Sequence, residues 1–315
     1  MNQASPILET QDSNDETLAA NLAERVSAQT VIRRNEPLAK RTTLRVGGPA
    51  DLLVEAASEQ DLAAMLRFCD EFKLPFFVLG RGSNLLVKDG GFRGMVITLG
   101  PPGFNGIEVE CQRLRCGAGA KLKALAMTAR RCGLTGLEFL EGIPGTVGGA
   151  LRMNAGAMGG AMFDVVESVR FMDSTGTVHE QERSEFNVNY RSCPTLKTRI
   201  ALGAVLRGRP ALREVIEQRM NEFSHKRRES QPAASSAGCI FKNPPIVPAG
   251  KLIAELGLKG TRLGGAWISA EHGNFLINDG TGTAQDVLEL IELIRERART
   301  ERGIELETEV EIIGE

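Results

Sequence analysis

Two periods of apolar spacing alternate along the chain, and each switch between them marks an element. DLLVEA (51–56) is a short apolar strand. SEQDLAAMLRFCDEFK follows with Leu62, Met65, Leu66 and Cys69 at helical spacing behind a capping box of Ser58 and Asp61. LPFFVLG (74–80) reads as a second strand, RGSN as a loop, and LLV and MVITL complete a β-α-β-β unit. From about residue 106 the pattern restarts: IEVE and QRLRCGAG form a hairpin, and KLKALAMTARRCG is a helix closed by Gly133. VESVRFMD, TVHEQ and RIALGAVLRG supply further strands. ALREVIEQRMNEFSHKRR (211–228) is a long amphipathic helix that opens a third unit. AQDVLELIELIRERAR (284–299) is another helix, capped by Thr283, with Val287, Leu290, Ile291 and Ile294 inward. GIELETEVEIIG closes the chain as an alternating strand.

Strands and helices mixed in this order predict an α+β or α/β protein. The expected organisation is a tail over 1–30, two subdomains over 31–105 and 106–208, and a third domain over 209–315. Residues 1–30 hold five acidic groups, one arginine and no aromatic, which predicts a solvated tail, with a helical turn or two open to ETLAANLAERV. A net charge of −2 gives no basic field for nucleic acid or an anionic membrane. HKRR (225–228) is the densest basic run and reads as the wet face of a helix, with phosphate binding as the lesser reading. Six cysteines without a CxxC, beside three histidines, predict neither a metal site nor a disulfide framework. With no leader pattern and no apolar run of membrane-spanning length, the expectation is a cytoplasmic protein without membrane insertion.

Two glycine-rich loops carry the chemistry that the residues themselves suggest. LGRGSNLLV (79–87) and EGIPGTVGGALRMNAGAMGG (141–160) each follow an apolar segment and offer backbone N–H groups without Cβ bulk, as a pyrophosphate requires. Neither is a Walker A loop, and neither completes a dinucleotide fingerprint, since Leu85 stands where the third glycine belongs. Tight turns alone remain the competing explanation for each. Cys239 is a further puzzle: a lone thiol in SAGCIFKNP is most simply a small core residue.

Together these stretches resemble the UDP-N-acetylenolpyruvoylglucosamine reductase (MurB) family. The resemblance runs from about Thr42 to the C-terminus through RTTLRVGGPAD, LGRGSNLLV, GIPGTVGGALRMNAGA, FNVNYRSC, AGCIFKNP, HGNFLIN, GTAQDV and LETEVEIIG, in that order, in the family's shorter form. It implies a flavin-binding module of the PCMH or vanillyl-alcohol-oxidase type, made of two α+β subdomains, plus a substrate-binding domain. It also implies NADPH-dependent reduction of the enolpyruvyl group of UDP-N-acetylglucosamine-enolpyruvate in peptidoglycan synthesis, by a monomer acting on small molecules. The cofactor would be noncovalent FAD, held by Gly80, Arg81, Gly82, Ser83 and Asn84 on one side and Gly145, Thr146, Gly148 and Gly149 on the other, with Asn154, Ala155 and Gly156 lining the same cleft. Rival readings are a different FAD-dependent oxidase or dehydrogenase of that superfamily, or a redox-silent flavin-fold binding module.

The same resemblance assigns three catalytic residues. The reaction needs fixed donors for charge that develops on C2 and the carboxylate, and an acid for C2. Arg191 in NYRSC suits the first, because a planar guanidinium grips a carboxylate with two hydrogen bonds. Cys239 stands where many members carry serine, the proposed proton donor; thiols ordinarily ionise near pH 8.5, well below a hydroxyl. Glu305, Glu307, Glu309 and Glu311 alternate on one strand face, periodicity does not choose among them, and only the motif selects Glu309. Tyr190, Lys242, Asn243, His272 and Asn274 are the expected substrate-binding residues. Ser230 and Glu271 occupy positions where lysine is common, which leaves Lys226 or Arg227 as substitutes for the diphosphate.

Overall fold

The computed structural model describes residues 6–315, with side chains from Asp15 onward. They form two compact units, each assembled from separate stretches of chain. The first takes the residues up to Glu36 together with Ala50–Gly80 and Arg93–Glu217; the second takes Pro37–Pro49, Arg81–Phe92 and Gln218–Glu315. These two units interleave along the chain, whereas the sequence reading set three domains end to end. Leu44, Val46 and Leu86 show why: all three are buried in the same core as Ile253, Leu290 and Ile291 of the C-terminal stretch.

Two larger sheets, beside two short two-stranded pairs, build the first unit. One has the order Val31–Pro37, Pro49–Ala56, Phe92–Leu99, Phe76–Leu79, with the last two parallel and Phe76 opposite Met95. The other is antiparallel, in the order Val178–Glu182, Val166–Met172, Ile200–Arg207, Arg113–Gly117, Ile107–Glu110. Helix α1 (Pro6–Ala23) precedes them. The expected tail is thus helical from Pro6, and the assignment for residues 1–5 lies outside the described residues. Leu18, Ala19 and Leu22 explain the difference: their spacing makes one apolar stripe, and it packs against the core of Leu52, Met65 and Phe68. Helix α2 (Glu59–Glu71) starts as its capping signal predicts, with the Ser58 side chain accepting the Asp61 N–H. Asp61 in turn accepts from the Ser27 N–H at 2.7 Å, which pins the chain just after α1. Helices α3 (Leu122–Arg131) and α4 (Val147–Arg152) complete this unit, and α4 packs on the central strand Ile200–Arg207.

Helix α5 (Arg213–Ser230) contains the point at which the chain passes to the second unit. Its HKRR end is mostly exposed, in keeping with a solvated face. The second unit holds an antiparallel sheet in the order Ser236–Cys239, Phe275–Asn278, Ala266–Ile268, Arg262–Leu263. Helices α6 (Ala249–Glu255) and α7 (Ala284–Arg302) pack there, α7 with a capping box of Thr283 and Asp286 and with Val287, Leu290, Ile291 and Ile294 fully buried. Leu85–Val87 does not join the first sheet. It pairs in parallel with the C-terminal strand Glu311–Ile313, so the β-α-β-β unit loses its third strand to the second unit. The long alternating strand read over GIELETEVEIIG is likewise shorter, confined to Glu311–Ile313 with one isolated bridge between Thr308 and Phe241.

Candidate active site

In the first unit a cleft of about 330 Å³ opens beside the second glycine loop. Thr146 caps α4, its side chain accepting the Gly149 N–H at 3.5 Å. The first residues of α4 are anchored from below, with Val147 N–H bonded to the Ala120 carbonyl and Gly148 N–H to that of Ala118. Gly145 makes the preceding turn, and its carbonyl accepts the Leu122 N–H at 3.2 Å. Gly80, Thr146, Gly148 and Gly149 all line the cleft, as their motif positions predict. A Cβ on Gly80 would stand 2.9 Å from Thr146 Oγ1, and one on Gly148 would stand 3.1 Å from Ala118 Cβ. Both loops therefore need bare backbone to approach each other and a ligand. Phe76, Leu99 and Ile200 give the cleft apolar walls, while Arg152, Lys197 and Arg199 supply cations. An elongated molecule with an aromatic end and phosphates, such as FAD, fits that combination.

The rest of the first glycine loop belongs to the second unit. Gly82 adopts φ +59°, and a Cβ there would meet the Arg41 carbonyl at 2.4 Å and Thr42 Cα at 2.8 Å. Thr43 fixes the loop by donating its N–H to the Gly82 carbonyl at 3.1 Å. The N–H groups of Arg81, Gly82 and Ser83 have no acceptor among the described residues. Consecutive donors of this kind form a concavity for an anion. Asn84 behaves differently from its neighbours. Its Nδ2 donates to the Glu309 carbonyl at 3.0 Å, so this arm of its carboxamide bonds the protein backbone.

Downstream in the second loop, Asn154 also departs from expectation. It sits at φ +43°, donates Nδ2 to the Asn189 carbonyl at 3.2 Å, and accepts the Phe163 N–H at 3.1 Å. Its carboxamide thus holds the turn that carries Arg191. Ala155 is buried and returns its N–H to Ala150. Asn189 and Ser192 close that turn with reciprocal backbone bonds, leaving Tyr190 and Arg191 at its tip, Arg191 at φ +56°. The guanidinium lies over the Tyr190 ring, 5.0 Å from its centroid, and Nη1 would be 3.1 Å from a Cβ on Gly156. Arg191 is therefore delivered to the second glycine loop, within the unit that holds the cleft.

Cys239, Lys242, Asn243, His272, Asn274 and Glu309 all fall in the second unit, and the backbone gathers them. A bulge between Ser236 and Cys239, with Gly238 at φ +76°, turns the strand end so that Cys239 is half-buried rather than packed in the core. Glu309 N–H donates to the Ile240 carbonyl at 2.7 Å, which sets the half-buried glutamate beside the residue after Cys239. Glu305 and Glu307 are exposed. Lys242 forms an ion pair with Glu307, and its N–H bonds the Glu307 carbonyl at 2.9 Å. Asn243 is exposed, but its Oδ1 accepts the Ala249 N–H at 3.0 Å, at the start of α6. Asn274 is buried, its Oδ1 accepts the Phe241 N–H at 2.9 Å, and its Nδ2 donates to the Phe241 carbonyl at 2.8 Å. It organises the Cys239–Lys242 segment instead of presenting a binding group. His272 accepts the Asn274 N–H on Nδ1 at 3.2 Å, and burial, reinforced by Lys259, pushes its pKa below the ordinary imidazole value despite an opposing backbone bond.

The sequence reading missed Gly119, Arg152, Lys197 and Arg199 as cleft residues. Gly119 had a signal in CGAG, since a Cβ there would meet the Leu99 carbonyl at 2.3 Å. The cations had none, because a basic residue that ends a helix, as Arg152 does, or precedes a strand, as Lys197 and Arg199 do, looks like ordinary surface.

Comparisons with known proteins agree with this geometry. Residues 231–313 match the profile of the UDP-N-acetylenolpyruvoylglucosamine reductase C-terminal domain, and residues 50–181 match an FAD binding domain. The UDP-N-acetylenolpyruvoylglucosamine reductase of Clostridioides difficile is 41% identical over 304 residues, covering 96% of this chain and 99% of that protein. That of Heliobacterium modesticaldum is 44% identical over 287 residues, 90% of each. The crystal structure of the reductase (MurB) from Thermus caldophilus superposes with a TM-score of 0.79 at 39% identity, covering 91% of this chain and 99% of that one. The chain belongs to the UDP-N-acetylenolpyruvoylglucosamine reductase family.

Proposed function

We propose that this chain reduces the enolpyruvyl group of UDP-N-acetylglucosamine-enolpyruvate to UDP-N-acetylmuramate, with NADPH as reductant, in peptidoglycan precursor synthesis. The observation that carries the reading is family membership over nearly the whole chain, 96% in one relative, together with a glycine-lined cleft suited to a flavin dinucleotide. Bound FAD supplies the hydride relay between NADPH and the substrate double bond. Gly80, Thr146, Gly148 and Gly149 would hold the cofactor in the cleft, with Arg81, Gly82 and Ser83 offering backbone N–H groups to its phosphates. Attachment is noncovalent in this reading. His179 lies on the strand Val178–Glu182, bonded to Asp173 at 2.7 Å and stacked on Phe171, and these contacts support a structural role for its ring.

The protein's own groups then have three tasks. Arg191 grips the substrate carboxylate and meets the charge that develops there. Cys239 Sγ holds the proton that C2 receives, and Glu309 assists by polarising the same end of the substrate. Tyr190, Lys242 and Asn243 are the candidates for the sugar nucleotide, with His272 shaping the loop behind them. A monomer in the cytoplasm completes the reading, supported by six free cysteines in keeping with a reducing compartment. Among the described residues no helix is long and apolar enough to cross a membrane.

The direct test is turnover. Under anaerobic conditions, purified protein with FAD should consume NADPH beyond the one equivalent that reduces its flavin only when the enolpyruvyl nucleotide is present, and the product should be UDP-N-acetylmuramate. NADPH consumption that is indifferent to this substrate would point to another oxidase or dehydrogenase of the fold, and no flavin binding at all to a redox-silent module.

A further inference from the structure

The geometry points to Asn84 as the positioning residue that ties the first glycine loop to Glu309, rather than as a ligand of the cofactor. The inference rests on the proposed role of Glu309. Both backbone groups of Glu309 are held: its N–H by the Ile240 carbonyl at 2.7 Å, and its carbonyl by Asn84 Nδ2 at 3.0 Å. The next links run the same way. Glu311 N–H donates to the Asn84 carbonyl at 3.1 Å, and Glu311 stands opposite Leu85 in the parallel pair.

Of these restraints on the Glu309 backbone, the Asn84 carboxamide is the one made by a side chain, so substitution can remove it without altering the backbone pairing. With Cα fixed on both sides, the carboxylate moves only through its own side-chain torsions. Without the Asn84 bond, a half-buried carbonyl loses its donor and the segment is free to rotate toward water. Asn84 immediately follows Arg81, Gly82 and Ser83, whose N–H groups have no acceptor among the described residues. A phosphate seated on those donors would therefore be one residue from the clamp on Glu309. On the far side, the Ile240 N–H is held by the Asn274 carbonyl at 2.9 Å, so the ladder from Asn84 to Asn274 runs through Glu309 and through Ile240, the residue after Cys239.

The test separates the two half-reactions of the FAD-loaded protein under anaerobic conditions. In Asn84→Ala, reoxidation of the reduced flavin by the enolpyruvyl nucleotide should slow about tenfold or more relative to flavin reduction by NADPH, with FAD affinity changed by less than about threefold. In the double variant Asn84→Ala/Glu309→Gln, reoxidation should be no slower than in Glu309→Gln alone, because Asn84 acts through that glutamate. Asn84→Asp, which keeps the shape and removes the Nδ2 donor, should reproduce the alanine result. A large loss of FAD affinity with normal reoxidation at saturating FAD would overturn the proposal and restore Asn84 as a cofactor ligand. Additive losses in the double variant would also overturn it, as would failure of both single variants to fold. A wild-type protein that does not reoxidise with this nucleotide, or a Glu309→Gln protein of normal rate, would instead refute the functional reading beneath it.

Discussion

Glu309 donates its backbone N–H to the carbonyl of Ile240 at 2.7 Å, which pairs the candidate glutamate's backbone with the residue that follows Cys239. Proton delivery to a single carbon depends on how an acid and a polarising group are positioned, and a paired backbone restrains where such side chains start. The bulge before Cys239 and the two bonds of Asn274 to the Phe241 backbone restrain the same segment from either end.

Cys239→Ser should retain substantial turnover, since a hydroxyl replaces the thiol at the same site. Cys239→Ala should slow the substrate-dependent half-reaction by roughly 100-fold or more while NADPH still bleaches the flavin. Rapid-mixing absorbance on both variants checks this, and full turnover by the alanine variant would remove Cys239 from the chemistry.

The four alternating glutamates should separate cleanly. Glu309→Gln should lower kcat by at least about tenfold, whereas Glu305→Gln, on an exposed residue, should leave it within about twofold. Steady-state kinetics on the pair decides whether position in the backbone ladder, rather than membership of an acidic run, matters.

Gly82→Ala should cost both fold and cofactor. At φ +59°, with the Arg41 carbonyl 2.4 Å from the added Cβ, the loop must shift, at about 1–3 kcal/mol for the backbone conformation alone. Thermal melting and bound-flavin absorbance should both fall. Unchanged FAD affinity would mean that the loop does not touch the cofactor.

Acid should weaken the second unit through His272. Burial holds its imidazole below the ordinary pKa, so the folded state keeps it neutral while the unfolded chain protonates near pH 6.5. The stability it contributes is complete above that pH and declines as the pH falls toward the folded-state value. Protonation also removes the Nδ1 acceptor from the Asn274 N–H. Melting temperature followed downward from pH 7 should drop, and His272→Gln should flatten the slope. An equal slope in that variant would contradict the assignment.

Local periodicity made most elements legible. Ser58 and Thr283 start α2 and α7 where their capping signals lie, and the apolar stripe of α7 faces inward. What escaped was allegiance over distance. Leu85–Val87 is apolar on both faces, so no pattern says which sheet it joins; only the parallel partner Glu311–Ile313, remote in sequence, decides. The stripe of Leu18, Ala19 and Leu22 was masked by the acidic residues around it. At the site, the motifs identified positions but not what their side chains do. Asn84, Asn154 and Asn274 lie within ligand-binding motifs, yet their carboxamides hold backbone carbonyls and N–H groups of the protein. An asparagine donates and accepts equally well to chain or ligand, and the choice is made by packing.

The most direct measurement is anaerobic single turnover. Protein loaded with FAD and bleached by one equivalent of NADPH should recover its oxidised flavin absorbance on mixing with UDP-N-acetylglucosamine-enolpyruvate, and stay bleached with UDP-N-acetylglucosamine. Flavin that stays reduced with both nucleotides would contradict the assigned reaction.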